Sequence, residues 1–253
     1  MQLCEKYRPR RLGQVIGQGG AVATIRRLIG RRGFDRGALW IEGDTGIGKT
    51  AIAQATARAL KCDRWATIEI DGDACGVERV RELTDTIGLG VLGGGDGWRV
   101  YIVNEAHAMP ARAIQAWLTL LERLPARRLV IFTSTEDTSN LFGGFNQPFM
   151  DRTIGIRLSK VGLKKQFARL AQAIARREGL DGKPLSAYER LVHVSRGSMR
   201  AALAAVERGD MIEPERPAEE AARVAKFVAG GRRANETRAK RTRKTKTTRK
   251  AKK

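Results

Sequence analysis

The chain has 253 residues, of which 42% are hydrophobic, so it is long enough to bury one large core or two smaller ones. No apolar run approaches the roughly 18 residues of a membrane span, and the N-terminal stretch lacks the apolar segment of a secretory signal. The three cysteines have no metal-ligand spacing, which favours reduced thiols over a zinc site or a disulfide framework.

Positive charge is the strongest global feature of the sequence. Lys and Arg number 48 against 27 Asp and Glu, a net charge of +21. Residues 231–253 contain 12 basic residues and one acid, which leaves 36 basic and 26 acidic residues, or +10, for residues 1–230. A basic body and a basic tail both suit a polyanionic partner, most often nucleic acid, although repulsion that keeps the protein soluble is the alternative.

Strand and helix patterns alternate through the first 158 residues. Buried-strand patterns lie at 38–42, 65–70, 99–103 and 127–134. Helical patterns lie at 21–32, 49–60, 77–87 and 110–124. Alternation with short connections predicts an α/β domain over residues 1–158, with a parallel sheet covered by helices on both faces.

Beyond residue 158 the pattern becomes entirely helical. Helices are predicted at 161–179, 186–195 and 197–209, which together make a small all-α domain over residues 159–210. A short helical extension is predicted at 211–230. The low-complexity stretch 231–253 cannot bury a core and is predicted to be a disordered Lys/Arg-rich tail.

The octapeptide GDTGIGKT, at 43–50, lies between a predicted strand and a predicted helix and matches the phosphate-loop pattern G-x-x-x-x-G-K-[ST]. Its backbone amides and the helix N-terminus would cradle phosphate oxygens. Lys49 is predicted to reach the β- and γ-phosphates of ATP, and the Thr50 hydroxyl to hold Mg²⁺. The predicted nucleotide-binding residues here are Gly43, Asp44, Thr45, Gly46, Ile47, Gly48, Lys49 and Thr50.

The stretch VYIVNEAH, at 100–107, reads as a buried strand that ends in polar residues. A phosphate-loop enzyme needs a carboxylate at the tip of a neighbouring strand, to position water against the γ-phosphate and to help hold the metal. Glu105 fills the first role. Asn104, beside it, raises the question of whether an expected acid has become an amide, and His107 is interpreted as a structural or loop residue.

Six motifs now carry a family resemblance. EKYRPRRLGQVIGQ, GDTGIGKT, VNEAH, FTSTED, PFMDR and GSMRAAL occur in the order and spacing of the sliding-clamp loader ATPases of the AAA+ class. The sequence resembles both the small subunits of replication factor C and the bacterial DNA polymerase III gamma/tau subunit, over roughly residues 1–210. The resemblance implies a P-loop AAA+ parallel sheet sandwiched by helices, followed by a small all-α lid domain.

The resemblance also implies nucleotide contacts outside the phosphate loop. Tyr7, Arg8 and Pro9 match the stretch that packs near the adenine. Thr135 falls where a polar sensor residue contacts the γ-phosphate. Arg200, in GSMR, matches the second sensor, which reaches from the lid domain onto the nucleotide.

Catalytic and DNA-contacting roles follow from the same resemblance. Glu105 matches the acid that polarises the attacking water, and it acts with Lys49. Arg152 matches the arginine that enters the ATP site of a neighbouring subunit, where an arginine stabilises the charge on the transferring phosphoryl group. Arg79 and Arg81 fall on a helix that faces DNA in these proteins, with a solvated helix face as the alternative.

Three departures from the family pattern bear on function. Asn104 replaces the family's usual metal-side Asp, so the predicted metal residues are Thr50 and Asn104. The amide of Asn104 offers Mg²⁺ a carbonyl oxygen without a carboxylate's charge. Slow hydrolysis is therefore expected rather than none. Asp151 and Thr153 replace the Ser and Cys that flank the family's arginine. Only 50 residues follow GSMRAAL, and 23 of them belong to the basic tail, so we expect the ATPase module and lid without the family's helical collar domain.

The sequence therefore predicts a clamp-loader-like ATPase that oligomerises and acts on DNA in replication, with ATP and Mg²⁺ as ligands. Expected partners are primer-template or duplex DNA and copies of itself or related AAA+ subunits, with a sliding clamp as a further candidate and no membrane. The expected location is the cytoplasm, on the nucleoid, or the nucleus in a eukaryote.

Three alternatives stay open. The first is a non-hydrolysing, ATP-gated DNA-binding and assembly module. The second is a AAA+ protein that loads a helicase or a recombination factor instead of a clamp. The third alternative is a structural nucleic-acid binder that works through its tail, which deletion of residues 231–253 would distinguish.

Overall fold

A computed structural model describes residues 1–89, 96–135 and 146–212 of the chain, without the side chain of Asn146. The predicted extension, apart from residues 211 and 212, and the predicted basic tail lie outside these residues.

The described part of the chain contains one five-stranded sheet. Its strands are β1 (Arg36–Glu42), β2 (Thr67–Asp71), β3 (Arg99–Asn104), β4 (Arg128–Ser134) and β5 (Ile154–Arg157). The order across the sheet is β2-β3-β4-β1-β5, and every neighbouring pair is parallel. All seven residues of the central β4 are buried. The predicted parallel sheet is therefore confirmed, with its carboxyl edge at the ends of β1, β3 and β4.

Helices cover both faces of the sheet. The short helix α1 (Leu3–Lys6) comes first in the chain, and the helices that accompany the strands are α2 (Gly19–Ile29), α3 (Lys49–Ala59), α4 (Val77–Ile87), α5 (Ala111–Glu122) and α6 (Asn146–Met150). Side chains alternate along each strand, so that Trp40 packs in the core beneath α4 and α5 while Leu39 packs in the core beneath α2 and α3. The sheet therefore separates two hydrophobic cores.

The predicted lid helices form a third core. They are α7 (Leu163–Glu178), α8 (Leu185–Val194) and α9 (Met199–Glu207), and they bury Phe167, Tyr188 and Leu203 among others. Leu3 of α1 belongs to the same core, so the N-terminal helix packs on the lid helices. Residues 1–212 make one compact unit, and the domain boundary at 158/159 stays a prediction. Within the described residues no helix is long and apolar enough to cross a membrane.

The structure departs from the predicted elements in a few places. The edge strand β5 was not predicted, because only Ile156 of its four residues is buried and the apolar alternation is too short to register. Residues 65 and 66, placed in the second strand by their composition, belong instead to a 3₁₀ turn (Arg64–Ala66) that leaves Trp65 exposed. The helix predicted at 21–32 begins at Gly19 and ends at Ile29, before Gly30.

Candidate nucleotide-binding site

The phosphate loop connects the end of β1 to the start of α3. Gly43, Gly46 and Gly48 have φ angles of 147°, 74° and 108°, a backbone region that side chains strongly disfavour. At Gly46 a Cβ atom would also lie 2.0 Å from the Ser198 Oγ. The amide of Met199, the first residue of α9, donates to the Gly46 carbonyl over 3.0 Å. The loop is thus in direct contact with the lid helices.

Lys49 is the buried cation of this loop. Its side chain is 5% exposed, and Nζ donates to the carbonyl oxygens of Gly43 (2.8 Å) and Asp44 (3.2 Å). Burial lowers the pKa of Lys49, while the nearby carboxylates of Glu105 and Asp44 oppose the shift. Nζ lies 4.0 Å from the Glu105 Oε1. A poorly hydrated ammonium placed among loop carbonyls is well suited to bind phosphate oxygens.

Asn104 and Thr50 meet at the carboxyl end of β3. The Thr50 hydroxyl donates to the Asn104 Oδ1 over 2.9 Å, and the Thr133 hydroxyl lies 3.4 Å from the same oxygen. A hydroxyl and an amide oxygen side by side are hard oxygen ligands of the kind Mg²⁺ binds. The residue types present therefore fit a magnesium site, with one negative charge fewer than a carboxylate would provide.

Glu105 lies at a backbone position with φ 47°, unusual for a residue other than glycine. Its Oε2 accepts a hydrogen bond from the Thr135 hydroxyl (3.1 Å) and lies 3.5 Å from the His107 Nδ1. The predicted sensor Thr135 and the predicted catalytic acid are thus in contact. Gly72 permits this turn, because its amide donates to the Asn104 carbonyl and a Cβ there would lie 2.3 Å from the Glu105 carbonyl oxygen.

One pocket brings most of the predicted nucleotide-binding residues together. Its lining includes the phosphate loop from Thr45 to Thr50 with Glu105 and Arg200. It also includes Tyr7, Arg8 and Pro9 with apolar residues of the N-terminal segment and the lid helices, namely Val15, Ile16, Phe167, Leu170, Ile174, Met199 and Leu203. A cavity lined by both apolar and cationic residues suits a ligand such as ATP, which has an aromatic base and a charged triphosphate.

Four of the predicted residues lie near this pocket without lining it. Gly43 and Asp44 bind the Lys49 ammonium, Asn104 binds Thr50, and Thr135 binds Glu105.

The remaining predicted residues lie elsewhere, each engaged with its own chain. Arg152 donates to the Pro148 carbonyl over 2.7 Å and forms an ion pair with Glu122 at the end of α5. On α4, Arg79 pairs with Glu82 and Arg81 with Glu78, both at 2.8 Å.

Two further residues hold the lid side of the site and were not singled out by the sequence analysis. The side-chain amide of Gln18 donates to the Ser159 carbonyl (2.9 Å) and accepts from the Ser159 amide (3.2 Å), so it brackets the segment that leads into α7. Glu178 accepts hydrogen bonds from Lys6 and Tyr7, which lowers its own pKa and raises those of both partners. Gln18 lay in the quoted VIGQ motif, which was the available signal.

His107 is a residue whose surroundings the sequence reasoning missed. Its ring nitrogens lie 3.4 Å from the Ser134 Oγ and 3.5 Å from the Thr135 Oγ1, on the carboxylate side of Glu105. Its position two residues after Glu105 could have indicated that the two side chains lie close together. The sequence of a short loop does not determine the direction of the ring.

Comparison with known proteins finds relatives of this chain by sequence. The chain is 30% identical to replication factor C small subunit 2 of Pyrobaculum arsenaticum over 210 residues, which cover 80% of this chain and 61% of the relative. It is 30% identical to replication factor C subunit 3 of Blastobotrys adeninivorans over 222 residues, which cover 83% of this chain and 63% of the relative. The chain thus spans about three fifths of the length of these relatives. No family model matches it.

Solved structures show the same fold at lower sequence identity. A mutant of Thermotoga maritima RuvB superposes with a TM-score of 0.64 at 19% identity, covering 80% of this chain and 65% of that one. A structure of T. maritima RuvB described as a Holliday junction branch migration motor gives a TM-score of 0.62 at 18% identity, covering 80% and 64%.

The chain is therefore similar in sequence to replication factor C subunits over about four fifths of its own length, and it has the fold of the RuvB structures.

Proposed function

We propose that this chain is an ATPase subunit of the clamp-loader type, which binds ATP and Mg²⁺, assembles with copies of itself or related subunits, and acts on DNA in replication. One observation carries the proposal: Lys49, Glu105 and Arg200, from three separate segments, line a single pocket. The names of the relatives supply the setting, since both are replication factor C subunits. Such a protein would work at the nucleoid or in a nucleus.

The pocket suits binding and orientation of the triphosphate. Lys49 would exchange its bonds to two loop carbonyls for phosphate oxygens, and Arg200 would add a second positive charge from the lid. Tyr7, Arg8 and Pro9 would pack near the base. The predicted division into an α/β domain (1–158) and a lid (159–210) gives the nucleotide one set of contacts on each, so ATP would hold the two together.

Glu105 is the proposed base that orients water for attack on the γ-phosphate. Thr135 and His107 would fix its carboxylate, since the Thr135 hydroxyl lies 3.1 Å and the His107 Nδ1 lies 3.5 Å from the Glu105 Oε2. Thr50 and Asn104 would hold Mg²⁺, which when bound offsets the negative charge of the phosphates. The neutral amide of Asn104 weakens that hold, and we propose slow turnover for this reason.

Arg152 is proposed to act on a neighbouring subunit. It does not line the pocket of its own chain but pairs with Glu122. An arginine supplied by a second chain would make hydrolysis depend on assembly, and DNA that promotes assembly would then stimulate it. Arg79 and Arg81 remain proposed DNA contacts, on the condition that phosphates displace the glutamates that pair with them.

The proposal is tested by steady-state ATP hydrolysis with and without primed DNA. We expect a low rate without DNA and a clear stimulation with it, both removed by Lys49→Ala. A rate that never exceeds that of the Lys49→Ala protein would contradict hydrolysis.

A second candidate function is a non-hydrolysing module in which ATP only sets the assembly state. The observation that favours it is the amide at position 104, bonded to Thr50 where the family places a carboxylate. ATP-dependent assembly together with no release of ADP above the Lys49→Ala background would select this candidate.

A further inference from the structure

The N-terminal segment has an unusual charge composition. Residues 8–34 contain seven arginines and neither a lysine nor an acid. Six of these arginines are exposed, and we call them the arginine surface: Arg10, Arg11, Arg26, Arg27, Arg31 and Arg32. They follow the proposed adenine-contacting stretch, but the nucleotide pocket does not include them.

The fold brings separate parts of this segment together. Arg11 and Arg26 line a shallow depression between the 3₁₀ turn at Leu12–Gln14 and helices α2 and α3. The turn is held in place by Gln14, whose Oε1 accepts from the amides of Arg10 (2.9 Å) and Arg11 (3.1 Å). The Arg26 guanidinium reaches the turn as well, since a Cβ at Gly13 would lie 3.1 Å from it. Arg10, Arg11 and Arg26 are thus held close together by ordered backbone, and Arg27 lies on the same helix as Arg26, with Arg31 and Arg32 just beyond its end.

These arginines have no acidic partners in the described ranges. Arg8 pairs with Glu5 and Arg36 with Asp35, but no carboxylate in residues 1–89, 96–135 or 146–212 forms an ion pair with any of the six. Helix α4 shows the opposite: Arg79 and Arg81 are both paired, and the helix carries three acids against two arginines. Of these two surfaces, the stronger uncompensated positive charge therefore lies at the arginine surface and not at α4.

Six like charges without compensation repel one another, whereas a surface that only needs to be soluble is better served by interspersed charges of both signs. Arginine in place of lysine also points to a specific partner, because the guanidinium forms paired hydrogen bonds with phosphate oxygens. We propose that the arginine surface is a second DNA-binding surface that contacts the phosphate backbone of duplex DNA, in addition to α4. This inference rests on the DNA partner of the proposed function but not on ATP hydrolysis.

An acidic protein segment would need the same charges, but protein interfaces also need buried apolar anchors. Large exposed hydrophobic side chains in the described residues occur at positions such as Met1, Trp65 and Val161, and none lies in residues 8–34. A charged surface without an apolar anchor matches the electrostatic, sequence-independent contact that proteins make with DNA phosphates.

The test measures the salt dependence of DNA binding with the full chain and without nucleotide, by fluorescence anisotropy of a short labelled duplex. The variant Arg11→Gln/Arg26→Gln/Arg27→Gln removes three charges from the arginine surface. The matched control Lys164→Gln/Lys165→Gln/Arg169→Gln removes three exposed charges from α7. Circular dichroism establishes that both variants are folded, and the basic tail is identical in all three proteins.

We expect the slope of log K against log salt concentration to become less steep by roughly 2 to 3 in the first variant, because each lost phosphate contact changes it by about 0.9. The control is expected to change the slope by less than about 1. Equal changes in both variants, or an unchanged slope in the first, would overturn the inference while leaving the proposed ATPase intact. A wild-type chain that does not bind the duplex at all would overturn both the inference and the proposed DNA partner.

Discussion

The pocket and the Arg152 region differ in how far one chain completes them. In the pocket, Lys49 and Glu105 are 4.0 Å apart, and Arg200 lines the same cavity. At the other region, Arg152 is bonded to Glu122 and the Pro148 carbonyl, contacts that bring no phosphate-binding residue to it. Under the proposed function, a single chain therefore holds a nearly complete ATP pocket, while the arginine proposed to act on a neighbouring subunit is bound to other residues of its own chain.

The largest expected effect comes from removing the arginine that would act in trans. Arg152→Ala is expected to lower DNA-stimulated hydrolysis about 10³-fold, since such arginines contribute roughly 10³ or more to turnover. Mixing Arg152→Ala with Lys49→Ala should restore part of the rate, because a pocket from the first can receive Arg152 from the second. Arg123→Ala, next to Glu122 on the surface, is the matched control; equal losses in both, or no complementation, would remove the difference between the two regions.

Glu105→Gln is expected to reduce hydrolysis by about 10² to 10³, while ATP still binds, because the amide cannot act as a base. Single-turnover hydrolysis and equilibrium binding of a fluorescent ATP analogue separate the two effects. Glu69→Gln changes an exposed carboxylate on the neighbouring strand β2 and should change neither. Loss of binding in Glu105→Gln would show that the residue shapes the pocket instead of serving the chemistry.

Asn104→Asp is expected to raise turnover about tenfold to hundredfold, the size of effect that residues supporting a metal site have. An aspartate oxygen can accept the same hydrogen bonds from Thr50 and Thr133 and adds a negative charge for Mg²⁺. The measurement is the rate as a function of Mg²⁺ concentration, with the half-saturating concentration falling in the variant. An unchanged Mg²⁺ dependence would place the metal away from position 104.

Glu122→Gln is expected to have the smallest effect, an increase in DNA-stimulated hydrolysis of less than about fivefold. The ion pair with Arg152 is partly exposed, and such pairs contribute about 1 kcal/mol or less. Releasing the guanidinium should therefore favour assembly only slightly, which light scattering with an ATP analogue would measure. A larger gain would mean that this pair restrains the ATPase strongly.

The features that could be predicted from the sequence are those whose residue pattern lies within one short, continuous segment. The phosphate loop and the buried strands β1, β3 and β4 carry their pattern within fewer than ten residues each, and the structure has the sheet they predict. The fold also places Thr50 against Asn104 and Thr135 against Glu105, pairs more than 25 residues apart whose members the resemblance had assigned to the same nucleotide site without predicting the contacts.

Features that depend on long-range pairing were not predictable in the same way. The edge strand β5 buries a single residue, and the bracketing of Ser159 by Gln18 joins positions 141 residues apart. Neither composition nor periodicity contains such a pairing. The same is true of Glu122, whose contact with Arg152 depends on how α5 and α6 end beside each other.

The contact between Gly46 and the first turn of α9 also limits how this sequence can change. In the phosphate-loop pattern, position 46 is one of the variable places, and the pattern alone would accept any residue there. In this chain the space that a side chain at position 46 would need is occupied by Ser198, which lies 152 positions further along the sequence. A chimaera that takes its lid helices from a relative would therefore also need a phosphate loop that fits them. The two segments are expected to be inherited, or engineered, together.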